Sequence, residues 1–492
     1  MGLPVKIRLL IPVILTLIFI PSISKSTEFY LPAELPEFRL AYEYAELLDI
    51  KDYYSRQESF IGPYRLGCIK WGYPVFEYGT APGRFQLKPF AIVTEDFSFQ
   101  KYSRAVGNES IRAGLFTRLG EKLSAHAHFL LDEKLAENPS YSGKKWRGLA
   151  GEIETAFLAY VTPGIQILFG RFGSFWGPSD ESLILSHTAR PMDGIRFKGK
   201  WGRFIFTYHF SALSRLRVND ENQEGFINRY FVGHRIDFRA HRNLYIGLFE
   251  TVIFGGRGRS IEAAYLNPFM FYHAFQLNED YDDNTFLGFD VTWYVNDRHK
   301  FFCQILVDDY QVDSETRGDN EPNETGLLIG VHSVDLFGWL ELKAEYLRIA
   351  NRTYNQIFER NRYVNRDVLI GHQFGPDGDR ISLSLSRWFR FDRRASVNIF
   401  YQRRGEGCYD DEWTEPWLDV DNYSESFPTG TVEKTFSVSG RFTAFVKKIA
   451  FVDCEGGVRV VDNYGHLDGD SRTVPFFNLR FSLLFSTLIN TN

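Results

Sequence analysis

The side chains best equipped for chemistry in this 492-residue chain are gathered in one stretch, 405–431. There Tyr409, Trp413, Trp417 and Tyr423 are interleaved with Asp410, Asp411, Glu412, Glu415, Asp419 and Asp421. Flat aromatic faces stack on the C–H faces of sugars. Carboxylates accept hydrogen bonds from sugar hydroxyls or, with carbonyls, hold Ca²⁺. The same composition also describes a solvated acidic loop whose aromatics rest at a membrane interface. A second acidic cluster, Glu279 to Asp283, contains Tyr281, Asp282 and Asp283 and carries the same two readings. Trp176, in the run Gly170-Arg171-Phe172-Gly173-Ser174-Phe175-Trp176-Gly177-Pro178, offers a flat ring either for internal packing or for a sugar.

Basic residues form a further set. Arg196 and Lys198 fall on one face of an extended segment, as do Arg235 and Arg239 with Asp237 between them, and Arg171, Arg380, Arg403, Arg441 and Arg480 extend the set. Such groups serve as salt-bridge partners within a wall, or hold the carboxylates of an acidic polysaccharide by bidentate contacts. Catalytic motifs are lacking: the sequence has no HExxH, no nucleophile elbow and no phosphate-cradling glycine loop. His126 and His128 lie two apart on one face without an evident third metal ligand. The expectation is a non-enzymatic protein with no cofactor and no metal. A hydrolase would need Ser and His adjacent across strands, which sequence alone does not test. The net charge of −6 argues against nucleic acid as a partner.

These residues sit on period-two elements. Phe477, Leu479, Phe481, Leu483 and Phe485 alternate with Asn478, Arg480 and Ser482. Leu340, Leu342, Ala344 and Tyr346 alternate with Glu341, Lys343 and Glu345, and Ile381, Leu383 and Leu385 with Ser382, Ser384 and Ser386. Phe204 to Phe210 and Leu287 to Val295 repeat the pattern. Tight connections (162–164, 200, 296–298, 337–338, 390–393) alternate with long ones (175–191, 214–230, 256–284, 313–324, 353–377, 405–431). That alternation marks a transmembrane antiparallel β-barrel. It predicts about eighteen strands over 84–485 and a C-terminal tail over 486–492. The aromatic content of 16% suits the interfacial girdles of such barrels, whose average hydropathy looks ordinary.

Lys6 and Arg8 precede an apolar run from Leu9 to Ile20, with Ser22-Ile23-Ser24 behind it. This reads as a signal peptide over 1–24, which places the mature chain in the outer membrane, handled by the barrel-assembly machinery, with both termini periplasmic. Residues 25–83 read as a periplasmic lead-in with a helix carried by Phe38, Ala41, Tyr42, Ala45 and Leu48. Cys68, Cys303, Cys408 and Cys454 lack metal spacing and are read as unpaired.

The run 170–178, continuing through Ser182-Leu183-Ile184-Leu185-Ser186 and Ala189-Arg190-Pro191 to Gly194-Ile195, resembles the Wzi family of capsule-assembly outer-membrane proteins. Pro63-Tyr64-Arg65, Tyr265-Leu266-Asn267-Pro268, Asp283-Asn284 to Asp290 and Gly371-His372-Gln373-Phe374-Gly375 extend the resemblance in order along the chain. Phe175 and Ser179 depart from the family pattern, which often has Trp and Gly there. The resemblance implies an eighteen-stranded barrel and a lectin-like role in attaching capsular or extracellular polysaccharide to the surface. The alternative kept beside it is an outer-membrane porin for sugars or other small solutes. Outer-membrane lipid is a partner on either reading.

Overall fold

A chain that alternates apolar and polar side chains cannot satisfy its backbone in hydrocarbon unless the sheet closes on itself, and this one closes. The structure is a computed structural model. It describes residues 29–31, 64–70, 73–78 and 85–491, apart from 104, 121, 139–140, 142, 180, 221–222, 312–315, 317, 390–392, 422, 447–449 and 487–488. Eighteen long antiparallel strands form the barrel. They are β1 (Phe85–Gln100), β2 (Val106–Leu119), β3 (Leu123–Asp132), β4 (Leu149–Val161), β5 (Ile165–Phe172) and β6 (Met192–Trp201). Then come β7 (Phe204–Ala212), β8 (Gln223–His241), β9 (Leu244–Gly256), β10 (Asn284–Asn296), β11 (His299–Asp309) and β12 (Glu324–Leu336). The last six are β13 (Leu340–Ile349), β14 (Gly378–Trp388), β15 (Arg393–Arg404), β16 (Glu433–Val446), β17 (Ala450–Asp462) and β18 (Arg472–Ser486).

The seam joins β18 to β1, with Phe476 opposite Gln100 and Ser486 opposite Phe90. Across it the inward Arg480 Nε donates to Asp96 Oδ1 at 2.6 Å, and the Thr94 and Ser482 hydroxyls meet at 2.9 Å. Ile489–Thr491 adds three more pairs to the start of β1, so part of the expected tail continues the ladder. The helix read over 38–48 and the signal peptide lie outside the described residues. Phe29–Leu31, Tyr64–Lys70 and Tyr73–Tyr78 form a small antiparallel sheet of their own.

Tight turns close one end of the barrel and long loops the other, as the sequence predicts. One connection differs from expectation. Most of 214–230 is strand: Leu216–Asp220 pairs with the first residues of β8, Leu216 opposite Ile227. Its charged residues obscure the alternation, and the ladder supplies the order.

The two faces separate as the alternation dictates. Leu248, Phe289, Trp293, Ile381 and Phe477 are outward and exposed, while Thr207, His209, Asp290, Thr292 and Ser386 are inward and buried. Charges sent inward find partners in the wall. Arg235 donates to Asp237 at 2.5 Å and to Asp290 at 2.6 Å, all three fully enclosed. His332, Ser386 and Arg394 converge on Glu341 at 2.8 to 3.3 Å. Arg441 pairs with Asp453 at 2.6 Å.

On the inner face of β8 to β13 the pattern changes. Phe231, Phe249, Ile253, Phe286, Phe302, Leu306, Leu328 and Leu347 all point inward and form one core with residues from two long loops, 173–191 and 350–377. An apolar inner wall is stable only because those loops fold into the lumen and cover it.

Removing Arg235 takes a buried guanidinium away from the two carboxylates it pairs with. Arg235→Ala is expected to cost about 3–5 kcal/mol, read as a lower urea midpoint in lipid vesicles. An unchanged midpoint would show that the triad is not the organising contact of this wall.

Candidate functional site

Gly170 and Gly177 bracket the entry of loop 173–191 into the lumen. Both have φ values only glycine adopts readily, +124° and +139°. A Cβ on Gly177 would meet Gln304 and Ser182 at 2.7 Å. The inserted segment doubles back on itself, with the Trp176 amide donating to Leu185 O at 2.9 Å. Gln304 of β11 accepts from the Leu183 amide at 2.8 Å and the Ser182 hydroxyl at 3.0 Å. Tyr354 and Tyr363 of the second loop donate to the carbonyls of Leu183 and Ile184 at 2.6 and 2.8 Å. Trp176 is fully buried in this plug. Both of its faces are covered by protein, so of its two sequence readings the structure supports packing and not a sugar platform.

The basic candidates are also engaged. Arg196 is buried, donating to Gln166 and reaching Ser174 at 3.4 Å, and Lys198 is wholly enclosed. Arg235 belongs to the triad described above. Arg239 lies at the tight-turn end and donates to Arg242 O at 2.7 Å. Burial and local pairing make Arg196, Arg235 and Arg239 elements of the wall. His126 and His128 do sit together, 3.2 Å apart, and His128 is bound by Glu154 at 3.0 Å and Thr155 at 2.8 Å. No group of three metal-ligating side chains is placed to hold an ion among the described residues.

The two aromatic–acidic clusters come to the long-loop end, on either side of one ridge. The ridge is the turn Phe358–Arg362, held from below by the buried Arg229 of β8. Arg229 donates to the carbonyls of Arg360 and Arg362, both at 2.6 Å. Asn284 adds a bond to Asn361 O at 3.0 Å. On one flank Arg360 pairs with Asp282. On the other, Arg362 donates to Asp411 O at 2.6 Å. The first flank opens into a cleft of about 620 Å³ lined by Gly256, Arg257, Arg259, Tyr281, Asp282 and Arg360, among others. Tyr281 is 37% exposed, and the Arg259 guanidinium lies 4.5 Å from its ring centre.

On the second flank the loop 405–432 is pinned at its neck by the enclosed Asp377, which accepts from the amides of Gly407 and Thr429 at 2.9 Å each. Asp410 and Asp411 are exposed, and Tyr409 and Trp413 are half-buried. Trp417 is 2% exposed. It packs edge-on to Trp413 and under Arg352, whose guanidinium is 4.9 Å from its ring centre. Trp417 therefore supports the loop, and Trp413 is the ring left partly open. Asp283 is buried and bound by Arg259 and by the Tyr265 hydroxyl, so its carboxylate faces the protein. Burial pushes its pKa up against those bonds. Arg259 is held above its ordinary range: burial opposes its charge, but the hydrogen bonds it donates to Asp283 and Glu262 outweigh that.

Sequence reasoning missed Arg229 and Asp377. Arg229 has the inward parity of Phe231, Gly233 and Arg235, and would have been found had β8 been extended back past 231. Asp377 gives no comparable signal, because its partners are distant amides.

The model of the family "Capsule assembly protein Wzi" matches residues 94–473. The chain belongs to the Wzi family. Wzi of Escherichia coli, described as an outer membrane protein involved in group 1 capsule assembly and a carbohydrate binding β-barrel, is 13% identical, with a TM-score of 0.50. The match covers 82% of this chain and 84% of that one. OpdK, an outer membrane protein of Pseudomonas aeruginosa, is 8% identical with a TM-score of 0.47, over 82% of this chain and 99% of the other. OprD of the same organism is 8% identical with a TM-score of 0.45, over 81% and 95%. No curated protein matches in sequence. As a Wzi-family β-barrel the chain is an outer-membrane protein.

Two expectations follow from the rim. Arg229→Ala removes the charged donor from two ridge carbonyls. It should speed proteolytic cleavage within 358–362 several-fold while the barrel keeps its heat-modifiable gel mobility; equal cleavage rates would remove Arg229 from this role. Glu321, in the loop beside the Trp417 turn, has its pKa pushed up to about 7 by burial and by Asp309 and Glu415, against Arg352. The folded loop thus binds its proton more tightly than the unfolded chain does, so its stability falls as pH rises from about 4.5 through 7. Amide exchange in 310–323 should be slower at pH 5 than at pH 8 after correction for intrinsic rates, with a smaller difference in Glu321→Gln. The opposite order would refute this.

Proposed function

We propose that this protein is a non-enzymatic lectin-like barrel that holds capsular or extracellular polysaccharide at the cell surface. On this reading the long-loop end faces outward and both termini lie in the periplasm, after export by the signal peptide and insertion by the barrel-assembly machinery. The observation that carries it is the division of labour between lumen and rim. The lumen along β8 to β13 is occupied by a packed apolar core, whereas the rim keeps an open cleft with an aromatic face, carboxylates and guanidinium groups around it. A diffusion porin is served by the reverse arrangement. Family membership supports the same reading, as does the carbohydrate binding described for the Escherichia coli protein.

Within the rim, Tyr281 supplies a stacking face in the cleft and Trp413 a second across the ridge. Asp282, Asp410 and Asp411 are the accessible acceptors for sugar hydroxyls. Trp176, Trp417 and Asp283 act behind this surface by fixing the loops. Nothing in this arrangement needs a bond to break, and the ridge between the two faces suits a chain longer than a monosaccharide.

A deletion strain should make polysaccharide at normal total yield but shed a larger share into the medium. In the purified protein, Tyr281→Ala combined with Trp413→Ala should weaken polysaccharide binding roughly tenfold, about 1.4 kcal/mol, without changing barrel stability. Normal retention in the deletion strain would sink the attachment role; normal retention of affinity in the double variant would sink only the choice of rim residues.

A further inference from the structure

The loop between β9 and β10 does not rise above the barrel as a loop at its rim would. It turns back and lies on the outer wall. Two short helices, α1 (Ala263–Leu266) and α2 (Tyr272–Glu279), flank the segment Asn267–Phe271. Their buried side chains, Tyr265 and Tyr272, pack with Val232, Val252 and Phe254, and with Tyr208, Phe210 and Tyr230. In β8 and β9 these wall residues have the parity of the exposed Ile236 and Leu248, opposite to Phe231 and Phe249 in the luminal core. Lower down, Phe269 stacks on Phe206 at 5.5 Å between centres. Phe206 pairs with Ile236, the fourth of five outward positions on β8 counted from Tyr230 to Phe238.

Those five positions span about 26 Å of strand at roughly 3.3 Å per residue, and a tilted strand covers less height than its length. The outward apolar band of such a barrel is about 25 Å tall. If this flap stood above the membrane, only Phe204 and Phe238 of β7 and β8, with Leu244 and Ile246 of β9, would remain here to face hydrocarbon. The flap's composition agrees: between Glu262 and Glu279 the sequence AAYLNPFMFYHAFQLN carries no Asp, Glu, Lys or Arg. Leu266, Phe269, Phe271 and Leu277 are exposed on it, Phe269 to 82%. They are continuous with the outward Leu248 and Ile236.

One polar side chain on the outer wall explains how the flap is fastened. Glu250 stands in the outward row of β9 with Leu248 and Val252, where a bare carboxylate in lipid is prohibitive. It is 2% exposed. It accepts from the amides of Tyr272 and His273 at 2.9 and 2.7 Å, the otherwise unpaired first turn of α2, and from His234 at 3.2 Å. Several of the flap's other irregular backbone groups also find partners. The Phe269 amide donates to the Asn267 side chain at 3.1 Å, the Met270 amide to Asn267 O at 3.1 Å, and the Tyr208 hydroxyl to Tyr265 O at 3.2 Å. Non-strand backbone is tolerated at membrane depth where protein covers it, and the buried Tyr265 and Tyr272 seat the inner side of the flap on the wall.

We propose that residues 263–279 form a membrane-embedded flap, latched to the outer wall by Glu250, whose exposed aromatic and aliphatic side chains bind the acyl chains of outer-membrane lipid. The flap begins beside Arg259 and ends beside Tyr281, both in the rim cleft, so the lipid contact fixes the two chain segments from which that cleft is built. The assignment stands on the flap's own geometry and holds whether or not the cleft binds a glycan.

The test uses the full-length protein in native outer membranes, with Phe269→p-benzoylphenylalanine as a photocrosslinking probe. Leu248→p-benzoylphenylalanine, on the bare outer wall, is the positive control, and Trp413→p-benzoylphenylalanine, on the rim, the negative one. After irradiation, mass spectrometry of the purified barrel should show lipid adducts at 269 at a yield within twofold of that at 248, and at least tenfold above that at 413. Phe271→p-benzoylphenylalanine serves as a second probe should the first variant fail to assemble. Lipid adducts at 248 with none at 269 or 271 would overturn the proposal. So would adducts at 269 to a second copy of the chain or to another protein.

Discussion

Hydrocarbon offers no hydrogen-bond partner to a peptide group, and nearly every other feature of this protein is a response to that. The ladder must close, which the seam between β18 and β1 accomplishes. Side chains must then alternate between lipid and lumen. Most of the charge the sequence carries along its strands is driven inward, where it is again short of water. The Arg235–Asp237–Asp290 triad, the Glu341 cluster and the Arg441–Asp453 and Arg480–Asp96 pairs resolve that second problem locally. Their number reflects the constraint and is not a store of stability: a buried pair gains little over an apolar pair and loses much when one partner goes.

The plug follows from the same logic carried one step further. Along β8 to β13 the inward positions are apolar, so this part of the lumen would be unfavourable as a water-filled channel. Loop 173–191 covers it, and loop 350–377 covers loop 173–191, tied by the Tyr354 and Tyr363 hydroxyls. The ridge at 358–362 belongs to that second loop. The ridge and the cleft at the rim are thus the outer continuation of the luminal core, and Arg229 is the point where wall, plug and rim meet.

Period-two alternation is a local property, and for that reason the strands were legible. Seventeen of the eighteen strands lie within a few residues of where the alternation of apolar and polar residues puts them; β8 begins well before the expected 231 because charged residues over 215–228 mask its first third. What a side chain touches across the lumen is not local. Nothing near Trp176 or Trp417 in sequence distinguishes them from Trp413, yet the first two are buried and the third is half open. The same holds for acids: Asp282 and Asp283 are neighbours, one exposed at the rim and the other enclosed behind Arg259. The uncharged run over 263–278 was visible throughout, but its meaning depends on Glu250, an acid on a lipid-facing row that only the register identifies.

The rim's charges bear on what it can select. Two of the cleft's three arginines have an anion beside them: Arg259 has Glu262 and Asp283, and Arg360 has Asp282. A ligand carboxylate approaching Arg259 would have to displace two partners, one of them buried. At Arg360 it would displace one, Asp282, which is 44% exposed and free to turn toward water. Of these two, Arg360, at the edge of the ridge, is the one more open to an acidic ligand. Neutral sugars are left to the Tyr281 face and the carboxylate acceptors. Exposed pairs of this kind contribute little on their own, about 0–1 kcal/mol, so exchanging one carboxylate for another at Arg360 costs little.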